Sequence, residues 1–226
     1  WLIVSNDASQ LPEQAARRYV ALGLAVPAER FLMSGMLIPT WVQANGLDGA
    51  RCKVLGSAAS RAYASAAGVE VVDLRADRYE ILAVCDESGF PFLEVLDDVL
   101  SELITSFEAG RPVRLVLPNP DLYYPKDERR FGVAAGSIAA LIEAVLAARF
   151  PSLRPRFERL GKPHAPIFRA AVERVGTRRA VMVGDQLATD IRGALEFGLD
   201  AALVRGGLSQ WDERTASPAE TPTWLL

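Results

Sequence analysis

The chain has 226 residues, half of them hydrophobic and 23% charged, with a net charge of -3. That composition gives a folded chain with a sizeable core and no global basic field to hold nucleic acid or an anionic membrane. Two cysteines, Cys52 and Cys85, and one histidine, His164, exclude a disulfide scaffold and any Cys-rich or His-cluster metal site.

Apolar runs alternate with helical patterns along the chain. Trp1 to Val4 reads as a strand, followed by turn and cap chemistry in Ser5-Asn6-Asp7-Ala8-Ser9. Pro12 to Leu22 reads as a helix with Pro in its first turn and Gly23 past its end. Arg30 to Met33 is a weak strand, and Gly35 to Asn45 a helix closed by Gly46. Cys52 to Leu55, Val69 to Val72, Ile81 to Cys85 and Val113 to Leu117 read as strands, with helices at Ala58 to Ala67 and Glu94 to Phe107. Helices follow at Ser137 to Ala148 and Pro166 to Val175, then a strand at Ala180 to Val183, a helix at Ile191 to Phe197 and a strand at Ala201 to Val204. Unalternating apolar strands separated by helices imply parallel sheets covered on both faces, an α/β fold. The loops Asn45 to Arg51 and Pro118 to Arg130 mark boundaries. They suggest a core domain, residues 1–49 and 134–226, interrupted by an inserted α/β cap domain at 50–133. The longest apolar stretch, Gly132 to Ala148, contains Glu143 and ends at Arg149, so it reads as a buried helix rather than a membrane span. The first residue is Trp1, so a longer polypeptide is expected, and the lack of a visible signal peptide carries little weight.

Three segments could carry chemistry. In Val181 to Ala194 an apolar strand ends in Gly184-Asp185, with Asp190 five residues on. Parallel sheets place ligands at the carboxyl ends of their strands, and an unpaired carboxylate there calls for a cation. Mg²⁺ suits such a site, because it takes one or two protein carboxylates with water and phosphate. Read alone, Asp190 serves equally well as a helix cap. In Trp1 to Ser9, the hydroxyl and amide of Ser5 and Asn6 at a strand-to-helix turn form an anion site; taken alone, this is an ordinary capped turn. In Leu160 to Phe168, Lys162 lies between Gly161 and Pro163, where a fixed backbone can aim its amine at phosphate. A solvated surface lysine is the usual alternative. His164 reads as a helix-start residue.

The three segments in this order resemble motifs II, III and IV of the haloacid dehalogenase (HAD) superfamily. The inserted domain resembles the class IIA cap of its sugar-phosphatase-like and p-nitrophenyl-phosphatase-like members. PEQAARRYVALGLAVP, PNPDLYYP, AAGSIAALIE, GGLSQWDE and the closing PTWLL extend the likeness over the whole chain. The resemblance implies a HAD-like Rossmannoid core and Mg²⁺-dependent phosphomonoester hydrolysis of a small phosphorylated metabolite, such as a sugar phosphate or nucleotide, through an aspartyl-phosphate. It assigns Ser5 and Asn6 to the phosphoryl oxygens, Lys162 to charge neutralisation, Asp185 to Mg²⁺ and Asp190 to support of the metal site. Asn119 and Asp121, in the cap turn, would shape the substrate pocket. A cytoplasmic enzyme with no nucleic-acid or membrane partner is expected; relatives often dimerise through the cap, which makes a homodimer one option without fixing the oligomeric state.

Motif I, an apolar strand followed by Asp-x-Asp-Gly, does not occur ahead of Ser5. Its two acids, nucleophile and general acid/base, are therefore expected upstream of Trp1. In the family that strand lies between those of motifs II and IV, so Leu2–Val4 and Val181–Val183 are expected not to pair directly. Ile81 to Phe90 gives a similar strand-Asp86-x-Ser88-Gly pattern but lacks the second acid and follows motif II. The alternative reading is a catalytically inactive phosphometabolite-binding protein without motif I. A nucleotide-binding domain of another kind is disfavoured by the lack of G-x-x-x-x-G-K-[ST] and G-x-G-x-x-G.

Overall fold

Unalternating apolar strands in the sequence become parallel sheets in the computed structural model, which describes residues 1–127, 129–209 and 217–226. The chain divides into two units, one of Ile3–Leu160 and one of Trp1–Leu2 with Gly161–Leu226.

In the Ile3–Leu160 unit, β1 (Ile3–Ser5) pairs in parallel with β2 (Phe31–Met33), and α1 (Pro12–Ala21) connects them. Tyr19 of α1 meets Phe31 edge to face, with ring centroids 5.1 Å apart. The expected helix from Gly35 begins as a 3₁₀ turn at Ser34–Leu37 and becomes α2 (Ile38–Ala44), with Pro39 in its first turn.

A five-stranded parallel sheet follows, ordered β4-β3-β5-β6-β9. Its strands are β3 (Arg51–Leu55), β4 (Glu70–Val71), β5 (Ile81–Val84), β6 (Arg114–Leu117) and β9 (Glu158–Arg159). Every residue of β5 is buried, as a strand covered on both faces requires. Helix α3 (Ala58–Ala66) links β3 to β4. Helix α4 (Phe92–Glu108) turns Val95, Leu96, Val99 and Leu103 inward, and α5 (Ala135–Arg149) turns Ile138, Ala139, Ile142 and Leu146 inward. These side chains form one buried cluster with Leu82, Val84, Leu115, Leu117 and Phe157.

Strand β9 and one hairpin of this unit are not foreseen in the sequence reading. Past the boundary expected at 133, α5 packs on the five-stranded sheet, and β9 extends that sheet to Arg159. Buried Glu143 of α5 secures that continuation, accepting the Phe157 N–H at 2.7 Å and pairing with Arg159 at 2.9 Å. The stretch read as a loop at Pro118 to Arg130 contains β7 (Tyr123–Pro125), which pairs antiparallel with β8 (Phe131–Val133).

In the other unit, β10 (Val181–Gly184), β11 (Asp200–Leu203) and β12 (Trp224–Leu225) form a parallel sheet in that order. Helix α6 (Ala165–Val175) precedes β10, and α7 (Arg192–Phe197) lies between β10 and β11. Ile167, Phe168, Ile191, Ala194, Ala201 and Leu203 are its buried apolar side chains closest to full occlusion. Strand β1 pairs with β2 alone and β10 with β11 alone, so each is an edge strand among the described residues. No helix among the described residues is long and apolar enough to cross a membrane.

Candidate active site

In the Ile3–Leu160 unit, β1 ends at Ser5 and the chain turns at once. The Ser5 Oγ accepts the Asp7 N–H at 3.1 Å, which orients the hydroxyl and leaves its own hydrogen as the donor. Asn6 is buried. Its amide donates to Asp121 Oδ1 at 2.8 Å, and its backbone carbonyl accepts the Ser34 hydroxyl at 2.6 Å. Asp7 turns into its own loop: Oδ1 accepts the Ser9 N–H and hydroxyl, each at 2.7 Å, and Oδ2 accepts the Gln10 amide at 2.7 Å. Its charge is thus engaged locally by donors beside the turn.

The next three carbonyls are bound by α3 and the residue capping it. Ser60 donates to Ala8 O at 2.8 Å, Ser57 to Ser9 O at 2.8 Å, and Tyr63 to Gln10 O at 2.6 Å. Burial, with the nearby carboxylates of Asp7 and Glu13, pushes the Tyr63 hydroxyl well above its usual pKa, so it remains a proton donor. The sequence reading missed these residues. In the sequence Ser57 signals only a helix cap, a role it also fills toward Ser60 N–H.

Asp121 is held from its own side. The Asn119 side chain accepts the Asp121 N–H at 3.0 Å, a local turn that aims Asp121 rather than Asn119 at Asn6. Gly136 at the start of α5 donates its N–H to Asp121 O at 2.9 Å.

Asp86, which ends the β5 run, is also buried; the Ser88 hydroxyl donates to it at 2.5 Å. Beside it, burial and the Asp86 carboxylate raise the pKa of Glu87.

In the other unit, Lys162 and Asp190 form an ion pair of 2.6 Å, with side chains 12% and 4% exposed. Asp190 Oδ2 accepts the Gln186 N–H at 3.2 Å. Asp190 therefore binds a backbone N–H four residues back and a lysine; it does not cap α7 from ahead. The helix expected from Ile191 is preceded by a π turn, Leu187–Ile191, which seats Asp190 against β10. A Cβ on Gly184 would lie 2.4 Å from Asp190 Oδ2, so only glycine allows this approach.

Asp185 follows the carboxyl end of β10. Its Oδ2 accepts the Leu208 N–H at 2.9 Å, and its carbonyl accepts the Ser209 N–H at 3.1 Å. A Cβ on Gly207 would lie 2.2 Å from the Asp185 Cβ, so Gly207 lets the returning loop reach that carboxylate. Gly206 to Ser209 is thereby placed; Gln210 to Glu213, the rest of the GGLSQWDE match, lies outside the described residues. His164 stands at the N-cap of α6 without a side-chain capping bond, the helix-start position expected of it. The predicted residues fall into two sets, with Ser5, Asn6, Asn119 and Asp121 in one unit and Lys162, Asp185 and Asp190 in the other.

The family model described as HAD-hydrolase-like matches residues 159–226. Among solved structures, a possible sugar phosphatase of the HAD superfamily from Cytophaga hutchinsonii is 31% identical with a TM-score of 0.81, over 99% of this chain and 80% of that one. The glycerol phosphate phosphatase of Mycobacterium tuberculosis, solved in complex with magnesium, is 25% identical with a TM-score of 0.81, over 99% of this chain. A dihydroxyacetone phosphatase of Corynebacterium glutamicum is 26% identical over 92% of this chain. The chain spans 64% of the M. tuberculosis structure and 70% of the C. glutamicum protein.

Proposed function

The chain belongs to the haloacid dehalogenase (HAD) superfamily, in its class IIA, sugar-phosphatase-like branch, and from that premise we propose that it is a Mg²⁺-dependent phosphatase of a small phosphorylated metabolite. The observation that carries the reading is the Lys162–Asp190 pair beside a strand whose carboxyl end leads directly into Asp185. An ammonium fixed by a buried carboxylate is a positioned point charge of the kind a phosphoryl group needs.

In this reading Ser5 and Asn6 bind phosphoryl oxygens. The bond from Asp7 N–H turns the Ser5 hydroxyl into a donor, and Asp121 fixes the orientation of the Asn6 amide. Lys162 offsets negative charge on the phosphoryl group, and Asp190 holds Lys162 in place. Asn119 and Asp121 line the substrate side. The covalent step is assigned to an Asp-x-Asp segment ahead of Trp1: its first carboxylate would attack phosphorus as the ester P–O bond breaks, its second acid would protonate the departing alkoxide, and water would then hydrolyse the aspartyl-phosphate.

Magnesium fits the residues present. Asp185 supplies a hard oxygen ligand at a strand end, with its other oxygen oriented by Leu208 N–H. No cluster of three acidic, His or Cys residues occurs among the described residues, and Mg²⁺ needs none, because water and phosphate complete its shell. When bound, the ion would stabilise charge on the transferring phosphoryl oxygens. The core and cap division belongs to the same proposal, with the cap side continuing through β9, as do a cytoplasmic setting and a homodimer.

The test is hydrolysis of p-nitrophenyl phosphate by the full-length polypeptide with and without Mg²⁺. Activity should require the ion and fall by orders of magnitude in Asp185→Asn and in Lys162→Ala. Full activity in either variant removes that residue from its role. Phosphate binding without turnover favours the inactive binding protein instead.

A further inference from the structure

Away from Asn119 and Asp121, the Ile3–Leu160 unit contains a cavity of about 420 Å³. It opens at the amino ends of β6 and β9, whereas Asn119 and Asp121 follow the carboxyl end of β6. Its wall is apolar, built from Phe107 at the end of α4, Val113 and Leu115 around the start of β6, and Leu153 and Pro155 from the loop before β9. Arg114, Arg156 and Glu158 converge on it. The volume lies within the range of ordinary ligand pockets, about 300–1,000 Å³, and an apolar wall with a few convergent polar groups is their usual make-up.

The charge at the mouth selects the ligand. Both carboxylate oxygens of Glu158 are occupied, one by Arg114 at 2.5 Å and the other by the Trp41 indole N–H at 2.8 Å. Glu143 is engaged by Arg156 and Arg159, and Glu108 by Arg149. Arg114 and Arg156, which line the cavity, each use one terminal nitrogen on an acid, and their other guanidinium N–H groups make no bond among the described residues. The acids at the mouth are thus satisfied, while N–H donors of the two lining arginines are in excess. A neutral apolar ligand would leave that excess unused, and a bare anion would leave the apolar wall wet.

We propose that this cavity is a second binding site, for an amphipathic carboxylate whose apolar body fills the Phe107–Leu153 wall and whose anionic end meets the arginines. The inference does not depend on the proposed reaction, because it concerns the opposite end of the sheet.

Calorimetric titration of the full-length protein with octanoate tests it. One equivalent should bind. Octan-1-ol should bind at least tenfold more weakly, and saturating inorganic phosphate with Mg²⁺ should leave octanoate binding unchanged. Leu153 is 62% exposed, so Leu153→Glu should fold normally, checked by its unfolding midpoint, and weaken octanoate at least tenfold by placing a carboxylate in the mouth. Failure of octanoate to bind overturns the proposal. So does equal affinity for octan-1-ol, displacement by phosphate, or undiminished binding to a folded Leu153→Glu variant.

Discussion

Asn6 and Asp121 are 115 positions apart in sequence, and their side chains meet at 2.8 Å. Because Asn6 is buried, its amide cannot exchange this bond for bulk water, and Asp121 decides which end of the amide faces it. Asp121→Ala should cost about 1–3 kcal/mol by removing a hydrogen-bond acceptor of a buried amide. Asp121→Asn keeps an oxygen acceptor and should cost less. Urea unfolding of the two variants checks the order. Equal midpoints would mean that the bond does not restrain Asn6.

The Lys162–Asp190 pair makes a sharper prediction. Asp190 is almost fully enclosed, so removing its cation leaves a buried charge uncompensated. Lys162→Met should destabilise the unit containing Gly161–Leu226 by about 3–5 kcal/mol, and adding Asp190→Asn should recover part of that loss. A double-mutant cycle by chemical denaturation measures the coupling, and strict additivity would contradict it. In the proposed reaction, both single variants lose turnover, but only the double variant regains stability without regaining rate.

What could be read in advance divides by the range of the interactions. Strands β5 and β6 announce themselves through Ile81–Val84 and Leu115–Leu117, because a strand buried on both faces must be apolar throughout. Strand β9 is only Glu158 and Arg159; it exists because β6 pairs with it, and nothing in two polar residues announces that. The β7–β8 hairpin was hidden by Pro125 and a charged turn, which read as loop. The same holds at the site. Ser5, Lys162 and Asp185 sit in short local patterns, which is what singles them out in the sequence. Asn6 and Asp121 were each singled out, but their hydrogen bond depends on the whole intervening segment. Ser57, Ser60 and Tyr63 went unnoticed, because a serine that holds a distant carbonyl looks in sequence like one that caps its own helix.

In the five-stranded sheet, Lys53 of β3 is wholly enclosed, 2.5 Å from Glu102 of α4, with its ammonium 4.8 Å from the centre of the Tyr79 ring. A buried pair of this kind is costly to break and cheap to replace. Glu102→Ala should therefore destabilise by about 3–5 kcal/mol, since it strands the lysine charge, while Lys53→Met with Glu102→Leu should return most of that loss. Thermal unfolding of the three proteins gives the ranking. A double variant less stable than Glu102→Ala would show that the pair is itself a major source of stability.

The two thiols supply a pH prediction. Burial pushes Cys52 up to about 12, and burial raises Cys85 well above the ordinary value near 9, with Cys52 and Asp86 adding to the rise. A raised value means that the folded state holds the thiol proton more tightly than the unfolded chain does. The associated stability is fully present below about pH 9 and is lost as pH climbs from there through about 12 for Cys52. The alkaline limb of the stability profile should therefore flatten in Cys52→Ala relative to the parent protein, whatever the change in absolute stability. The same protonation predicts chemistry at neutral pH, where thiolate is the reactive form. Ellman's reagent at pH 8 should leave both cysteines of the native protein unmodified and titrate both in denaturant. Rapid native reaction at either thiol would contradict the burial of Cys52 or Cys85.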